Sequence, residues 1–190
     1  MIEVFDSLID DFFKSSEQKK LVEKQSNMEI LIKASNCKYL SYSFDKDMKN
    51  YKSSNRLLPF FKNRLEGANS MCDYIIFCEK KCDKENVLYI LIIELKNSED
   101  RKTSTQLLAG HCLANYIMET LKRLDFLKKE YTKLHKRPIH IKKEPIYRFI
   151  SIRGNSKGTK IDLRTKDIKY DEKLHIDYKG TTFPLEDFLK

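Results

Sequence analysis

Residues 72–96, CDYIIFCEKKCDKENVLYILIIELK, decide the fold, because two apolar stretches flank a polar centre. The flanks, Cys72–Cys78 and Val87–Leu95, are both rich in β-branched and aromatic residues, and Glu79–Asn86 between them is polar. This pattern predicts a β-hairpin. The second strand is apolar on both faces, which is typical of a central strand covered on both sides. We therefore expect a layered α/β or α+β sheet built around this hairpin.

The register of the hairpin brings acidic residues together. A turn centred on Asp83 and Lys84 places Asp73 opposite Glu94, at the end farthest from the turn. Like charges directly opposite each other destabilise a sheet, and burial beside an apolar strand adds a desolvation cost. Lys96 follows Glu94 by two residues, so its side chain emerges on the same face. One ammonium cannot balance two carboxylates, which favours a hard divalent cation such as Mg²⁺ at this position.

Helices and further strands are predicted on both sides of the hairpin. The segment Thr103-x-x-Gln106 has the form of a capping box and opens a long helix that Pro138 ends. The capping role alone would explain Gln106, so its catalytic role stays one of two alternatives. The other predicted elements are an amphipathic helix over residues 2–12, a helix from about Glu17 to Lys33, a strand over Tyr39–Phe44, a strand over Ile146–Arg153, a strand near Leu174–Tyr178 and a closing helix over Phe183–Leu189.

The length of 190 residues indicates a single domain. We expect its core at about 56–153, with N-terminal helices and a loop over 1–55, and with C-terminal strands and a short helix over 154–190. The longest apolar run, Val87–Ile93, is far shorter than the roughly 20 residues of a membrane span. Five cysteines form a sparse, odd set, which favours reduced thiols. The expected location is cytoplasmic or nucleoid-associated, with no membrane partner.

The positive charge lies in the second half of the chain. Residues 1–95 hold 15 basic and 15 acidic residues, whereas 96–190 hold 22 and 13, so the net charge of +9 arises wholly there. Segment 122–143 carries nine basic residues against two acidic ones, which suits phosphate backbones. A solvated helix face is the alternative explanation. The candidate nucleic-acid-binding residues are Arg101, Lys102, Lys122, Arg123, Lys129, Lys133, Lys136 and Arg137.

The order of these features resembles the PD-(D/E)xK nuclease superfamily. The resemblance covers roughly residues 67–124 and consists of a helix, a hairpin with Asp73 on its first strand, Glu94-Leu95-Lys96 at the end of its second, and a helix bearing Gln106. It implies a restriction-endonuclease-like core, a central mixed β-sheet flanked by helices. Cys72 stands where many members have proline.

The resemblance also implies roles for individual residues. The acids matching Asp73 and Glu94 bind Mg²⁺ or Mn²⁺, often with the main-chain carbonyl of the residue matching Leu95. The lysine matching Lys96 orients or activates water and stabilises charge on the phosphate, and the glutamine matching Gln106 supports the site. Many members add a glutamate from the first helix. The candidates for it here are Glu17, Glu23 and Glu29.

We therefore expect a Mg²⁺-dependent endo- or exonuclease that hydrolyses phosphodiester bonds. DNA is favoured over RNA by analogy with the superfamily. The alternative is a non-catalytic subunit of a defence or repair complex that binds nucleic acid or protein. A homodimer or a larger complex is compatible with both.

Overall fold

The computed structural model describes residues 2–24, 27–45, 70–82, 85–96, 103–126, 144–153 and 176–190. Two sheets and two α-helices make up this part of the chain. The elements, in chain order, are α1 (Glu3–Leu8), a 3-10 turn (Asp11–Phe13), β1 (Lys20–Glu23), β2 (Met28–Lys33), β3 (Cys37–Tyr42), β4 (Tyr74–Cys82), β5 (Glu85–Lys96), α2 (Thr103–Phe126), β6 (Ile146–Arg153), β7 (Ile176–Lys179), β8 (Thr182–Pro184) and a second 3-10 turn (Leu185–Phe188).

The larger sheet has five strands in the order β3-β4-β5-β6-β7. The first three strands are antiparallel neighbours, whereas β6 and β7 run parallel to β5. The predicted hairpin is confirmed, since Tyr74 pairs with Ile93 and Cys82 with Glu85 in the expected register. The sheet is therefore mixed, with its antiparallel and parallel parts meeting at β5.

Both faces of this sheet are covered, as the apolar second strand predicts. On one face Ile75, Phe77, Ile90 and Ile92 pack with residues of α1 and α2. On the other face, alternate residues of the same strands pack against the smaller sheet and the C-terminal segment. In the smaller sheet, β2 lies between antiparallel β1 and parallel β8. The layers are thus small sheet, large sheet and helices, a mixed α+β arrangement.

The predicted helix over Glu17–Lys33 is wrong, because this segment forms β1 and β2. Along β2, Met28, Ile30 and Ile32 are buried and alternate with exposed residues, which is the period of two of a half-buried strand. Asn27 in the intervening turn has a positive φ of 50°. The apolar residues of this segment therefore recur with the period of a strand and not with that of a helix.

The other local predictions agree with the structure to differing extents. The first helix is shorter than expected, and after it Asp10 accepts a hydrogen bond from the Phe12 amide at 2.9 Å and caps the 3-10 turn. The strand predicted over Tyr39–Phe44 is confirmed up to Tyr42, where β3 ends, and β6 is confirmed over its full predicted length. The predicted closing helix over Phe183–Leu189 is wrong, because Phe183 and Pro184 belong to β8 and Leu185–Phe188 form a 3-10 turn.

Other expectations fall partly outside the described residues. The long helix starts at Thr103 as predicted and is described to Phe126, whereas its predicted end at Pro138 is not covered. Residues 46–69, which include the predicted start of the core, and the turn after Arg153 are also outside. All five cysteines are free. None of the helices in the described residues is long and apolar enough to cross a membrane.

Candidate active site

Two buried carboxylates meet at the open end of the β4–β5 hairpin. Asp73 immediately precedes β4, and its backbone N–H donates to Oε2 of Glu94 at 3.2 Å. In return, Oδ2 of Asp73 accepts a hydrogen bond from the backbone N–H of Leu95 at 2.6 Å. Asp73 is 8% exposed and Glu94 1% exposed. The structure therefore brings together the two acids that the register predicted to lie opposite each other.

Lys96 joins this pair from the same strand. Its Nζ lies 2.9 Å from Oε1 of Glu94 and donates to Oε1 of Gln106 at 2.9 Å. Gln106 is in the first turn of α2, so the start of that helix positions the amide against the ammonium. Asp73, Glu94, Lys96 and Gln106 thus form one continuous hydrogen-bonded chain. The amide oxygen of Gln106 contacts a side chain at the site, a contact that a capping box would not supply.

Burial makes the two carboxylates hard to ionise together. It raises the pKa of Asp73, and the charge of Glu94 raises it further, while the Leu95 amide acts in the opposite direction. Burial also raises the pKa of Glu94, against the lowering effect of Lys96. One ammonium therefore leaves the pair short of positive charge. A group with perturbed pKa values of this origin is typical of a functional site.

A cavity of about 710 Å³ opens beside Asp73. Segment 12–17, β1, the start of β2 and residues 43–45 form its walls, and Asp73 and Tyr74 lie on its sheet side. Tyr74 fixes β1 against the large sheet, because its hydroxyl accepts from the Val22 amide at 2.8 Å and donates to the Val22 carbonyl at 2.9 Å. The smaller sheet therefore borders the candidate site and does not merely cover the core.

Two further acids approach the pair from these walls. Glu23 and Asp45 line the cavity, and the charges of both raise the pKa of Asp73. The pKa of Asp45 is itself raised, by burial and then by Glu23, and lowered by Lys96. Sequence reasoning missed Asp45, which shortly follows β3 without any motif. Its place in the same cavity as Asp73 depends on the pairing of β3 with β4, for which there is no local sequence signal.

The expected first-helix glutamate is not on a helix. Glu17, Glu23 and Glu29 all line the cavity, but Glu23 ends β1, Glu29 lies in β2 and Glu17 precedes both strands. Of the three, Glu23 is the one whose charge acts on Asp73. The structure therefore corrects the element that carries all three candidates and singles out Glu23 only by its electrostatic effect on Asp73.

The donor set suits a hard cation held by few protein ligands. In the described ranges, no three His, Cys, Asp or Glu side chains are close enough together to form a metal-binding group. The carboxylates that the structure brings together at the hairpin are those of Asp73 and Glu94, and Leu95, whose carbonyl the resemblance adds, donates its N–H to Asp73. Mg²⁺ is usually held by one or two carboxylates and otherwise by water and phosphate oxygens, so this donor chemistry fits it.

The structure describes two of the eight candidate nucleic-acid-binding residues. Lys122 lies near the end of α2, and its Nζ is 2.9 Å from Oε1 of Glu119 and 3.0 Å from Oε1 of Glu144. Its charge is thus partly balanced within the protein. Arg123 is exposed in the last turn of the helix. The residues outside the described part are Arg101, Lys102, Lys129, Lys133, Lys136 and Arg137.

Comparison with known proteins finds no matching family model, no similar curated protein and no similar solved structure. A functional assignment therefore depends on the geometry of the candidate site and on the fold that carries it. The geometry combines two buried acids, a lysine in contact with one of them, and a supporting amide.

Proposed function

We propose that this protein is a divalent-cation-dependent nuclease with a restriction-endonuclease-like core. The observation that carries the proposal is the buried cluster of Asp73, Glu94 and Lys96 at the open end of the central hairpin. The order of a hairpin, a helix and a strand parallel to β5 also supports it. A purely structural cluster would not need two desolvated acids beside a single cation.

Asp73 and Glu94, with the Leu95 carbonyl, would hold Mg²⁺ or Mn²⁺. The ion supplies positive charge that lowers the pKa of water and polarises a phosphodiester. Each carboxylate accepts a hydrogen bond from a backbone N–H across the hairpin, and these two bonds hold the buried pair in one geometry. That preorganisation supports the proposal that a phosphodiester binds at the end of β5.

Lys96 positions the attacking water or stabilises the charge that develops on the phosphate. Glu94 and Gln106 hold its ammonium from two sides, which restricts the side chain to one orientation. A fixed donor costs no reorganisation when the phosphate gains charge. Gln106 acts through Lys96 and is therefore a positioning residue. DNA is the proposed substrate, and RNA is the alternative that the test includes.

The test is cleavage of labelled single- and double-stranded DNA and RNA with Mg²⁺, Mn²⁺ or a chelator. We expect cation-dependent cleavage that is lost in Asp73→Ala, Glu94→Ala and Lys96→Ala. Glu3→Ala and Lys38→Ala, which remove exposed charges away from the cavity, serve as matched controls and should retain it. Cleavage that survives all three site substitutions would refute the site.

Thermal unfolding gives a second readout that does not need the substrate. A cation that binds the folded state must raise the melting temperature. We expect Mg²⁺ or Mn²⁺ to raise it for the unchanged protein and to have no such effect on Asp73→Ala. Salt-sensitive binding of nucleic acid, without cleavage and without a shift by either cation, would identify a non-catalytic binding subunit instead.

A further inference from the structure

Three basic residues stand side by side where β5, β6 and β7 end. We propose that Arg153 and Lys179 form a second phosphate-binding position beside Lys96, which takes a backbone phosphate of the strand being cut. This inference rests on the proposed nuclease function and extends it to how the substrate is held. It assigns substrate binding to strand ends, outside the basic segment 122–143.

The sheet register fixes the row. Lys96 pairs with Arg153 across β5 and β6, and Arg153 pairs with Lys179 across β6 and β7. Paired residues in a parallel ladder point to the same face of the sheet. The contact of Lys96 with Gln106 shows that this is the face covered by α2. All three cations therefore lie on the face and at the edge of the candidate active site.

A second row lies two residues earlier on the same strands. It consists of Glu94, Ser151 and Asp177, which are also neighbours in the ladder. Glu94 contacts Lys96 at 2.9 Å, and Asp177 contacts Nη2 of Arg153 at 3.4 Å. Glu94 and Asp177 thus each contact one cation of the row. Lys179, at the end of the row farthest from Asp73, makes no ion pair with any residue that the structure describes.

Partial burial strengthens the electrostatic interactions of Lys96 and Arg153. The side chains of Lys96 and Arg153 are each 17% exposed, and that of Asp177 is 24% exposed. Charges in such a position are screened by water and salt less than those of an exposed surface lysine. The guanidinium of Arg153 can also form two parallel hydrogen bonds to one phosphate. The position is therefore suited to an anion with several oxygens.

The spacing matches a polynucleotide backbone. Neighbouring strands lie about 4.8 Å apart, so the row from Lys96 to Lys179 spans roughly 10 Å. A nucleic-acid strand rises about 3.4 Å per nucleotide, so this distance covers about three nucleotides. Ligands of open α/β sheets bind outside the carboxyl ends of the strands, where this row lies. Arg153 and Lys179 would thus bind phosphates next to the one at Lys96.

The test measures binding and cleavage separately. In the cleavage-impaired Asp73→Asn background with chelator, a labelled single-stranded DNA oligonucleotide is titrated by fluorescence anisotropy at several salt concentrations. We expect Lys179→Gln, and the paired change Arg153→Gln with Asp177→Asn, each to weaken binding about 10-fold and to reduce the salt slope by roughly 0.7. Lys38→Gln removes one exposed charge from the opposite edge strand and should change affinity less than about 2-fold.

The paired change avoids leaving Asp177 without its partner, and Arg153→Lys provides a second variant that retains charge. With Asp73 restored, the same substitutions at Arg153 and Lys179 should raise KM for DNA about 10-fold and leave kcat nearly unchanged. Cleavage with unaltered KM would overturn the phosphate position and leave the nuclease proposal intact. Competition by inorganic phosphate as strong as that by the oligonucleotide would also overturn it, since the position would then take a small anion.

No cleavage by the unchanged protein, together with normal folding, would refute the nuclease proposal by itself. The anisotropy measurement remains decisive for the row in that case. Weaker DNA binding by the Lys179 and Arg153 variants, with unchanged binding by Lys38→Gln, supports the phosphate-binding position. Equal weakening by Lys38→Gln counts against it. The failure of one proposal is therefore distinguishable from the failure of the other.

Discussion

Asp73 and Glu94 are joined across the hairpin although both carry carboxyl groups, with the Asp73 amide 3.2 Å from Oε2 of Glu94. Both side chains are buried, and the charge of Glu94 raises the pKa of Asp73. Removing one charge should therefore relieve repulsion in the protein without cation. A destabilising arrangement of this kind is common where activity requires it, which agrees with the proposed site.

We expect Asp73→Asn to stabilise the cation-free protein at about pH 8, by on the order of 1–3 kcal/mol. The asparagine oxygen can still accept from Leu95, so the geometry is kept while one charge is lost. Glu94→Gln should stabilise less, because Glu94 accepts from both Asp73 and Lys96 and a single amide oxygen cannot serve both. Urea unfolding in chelator measures the difference.

The matched control for this prediction is Asp11→Asn, which removes an exposed acid at the start of the 3-10 turn. Its effect should stay within about 0.5 kcal/mol. A lower free energy of unfolding for Asp73→Asn than for the unchanged protein would contradict the charge-repulsion argument, since it would mean that the ionised pair is satisfied without a cation.

Stability without cation should fall as pH rises. The pKa of Asp73 is raised to about 8, whereas an unfolded aspartate titrates near pH 3.9. Between these values the folded state binds more protons than the unfolded state, so the free energy of unfolding decreases with increasing pH. Subtracting the Asp73→Asn curve isolates this contribution. A difference curve that rises with pH would show that the carboxylate is stabilised in its charged form.

The same titration predicts how cations act. Because ligands bind metal in the deprotonated form, stabilisation by Mg²⁺ should grow as pH rises through the raised pKa values. Melting temperatures with and without Mg²⁺, measured across this range, test the coupling. A Mg²⁺ effect that is independent of pH would place the cation away from Asp73 and Glu94.

The sequence was sufficient for the hairpin and for the side chains at its open end. Two long apolar strands around a short polar turn fix the register, and the register determines that Asp73 faces Glu94. The two-residue spacing places Lys96 on the same face as Glu94. These relationships are local or follow from one turn, so the pattern of residues predicts them without knowledge of the rest of the fold.

The rest of the site depends on contacts between distant segments. β1 has only four residues, so its strand pattern is too short to be distinguished from that of a helix. β2 pairs with β8, which lies about 150 residues later in the sequence. Asp45 lines the same cavity as Asp73 because the strand before it, β3, pairs with β4. The row of Lys96, Arg153 and Lys179 requires the strand order β5-β6-β7, which no local pattern predicts.

Gln106 should affect catalysis through Lys96 alone. We expect Lys96→Ala to lower kcat about 100-fold or more and Gln106→Ala about 10-fold, because the amide fixes an ammonium that Glu94 also holds. The double variant should resemble Lys96→Ala, since the amide has nothing left to position. Thr105→Ala, an exposed neighbour on α2, is the control. Additive losses in the double variant would indicate that Gln106 acts independently of Lys96.

The placement of α2, and hence of Gln106, depends on a close approach at Gly110. A Cβ atom there would overlap the sulfur of Cys72 and lie 2.7 Å from Cγ2 of Ile92, so α2 packs directly on the sheet next to Asp73. Gly110→Ala should therefore destabilise the protein by about 1–3 kcal/mol, although alanine favours helices, because the contact is with buried residues.

Gly110→Ala should also lower cleavage by displacing Gln106 from Lys96. Added to Gly110→Ala, Cys72→Ala should restore part of the lost stability and part of the lost cleavage, because it removes the sulfur. Cys112→Ala, on the exposed side of α2, should restore neither stability nor cleavage in that background. Melting temperature and cleavage rate of the single and double variants test this coupling, and an unaltered melting temperature for Gly110→Ala would show that the helix is not held at this distance.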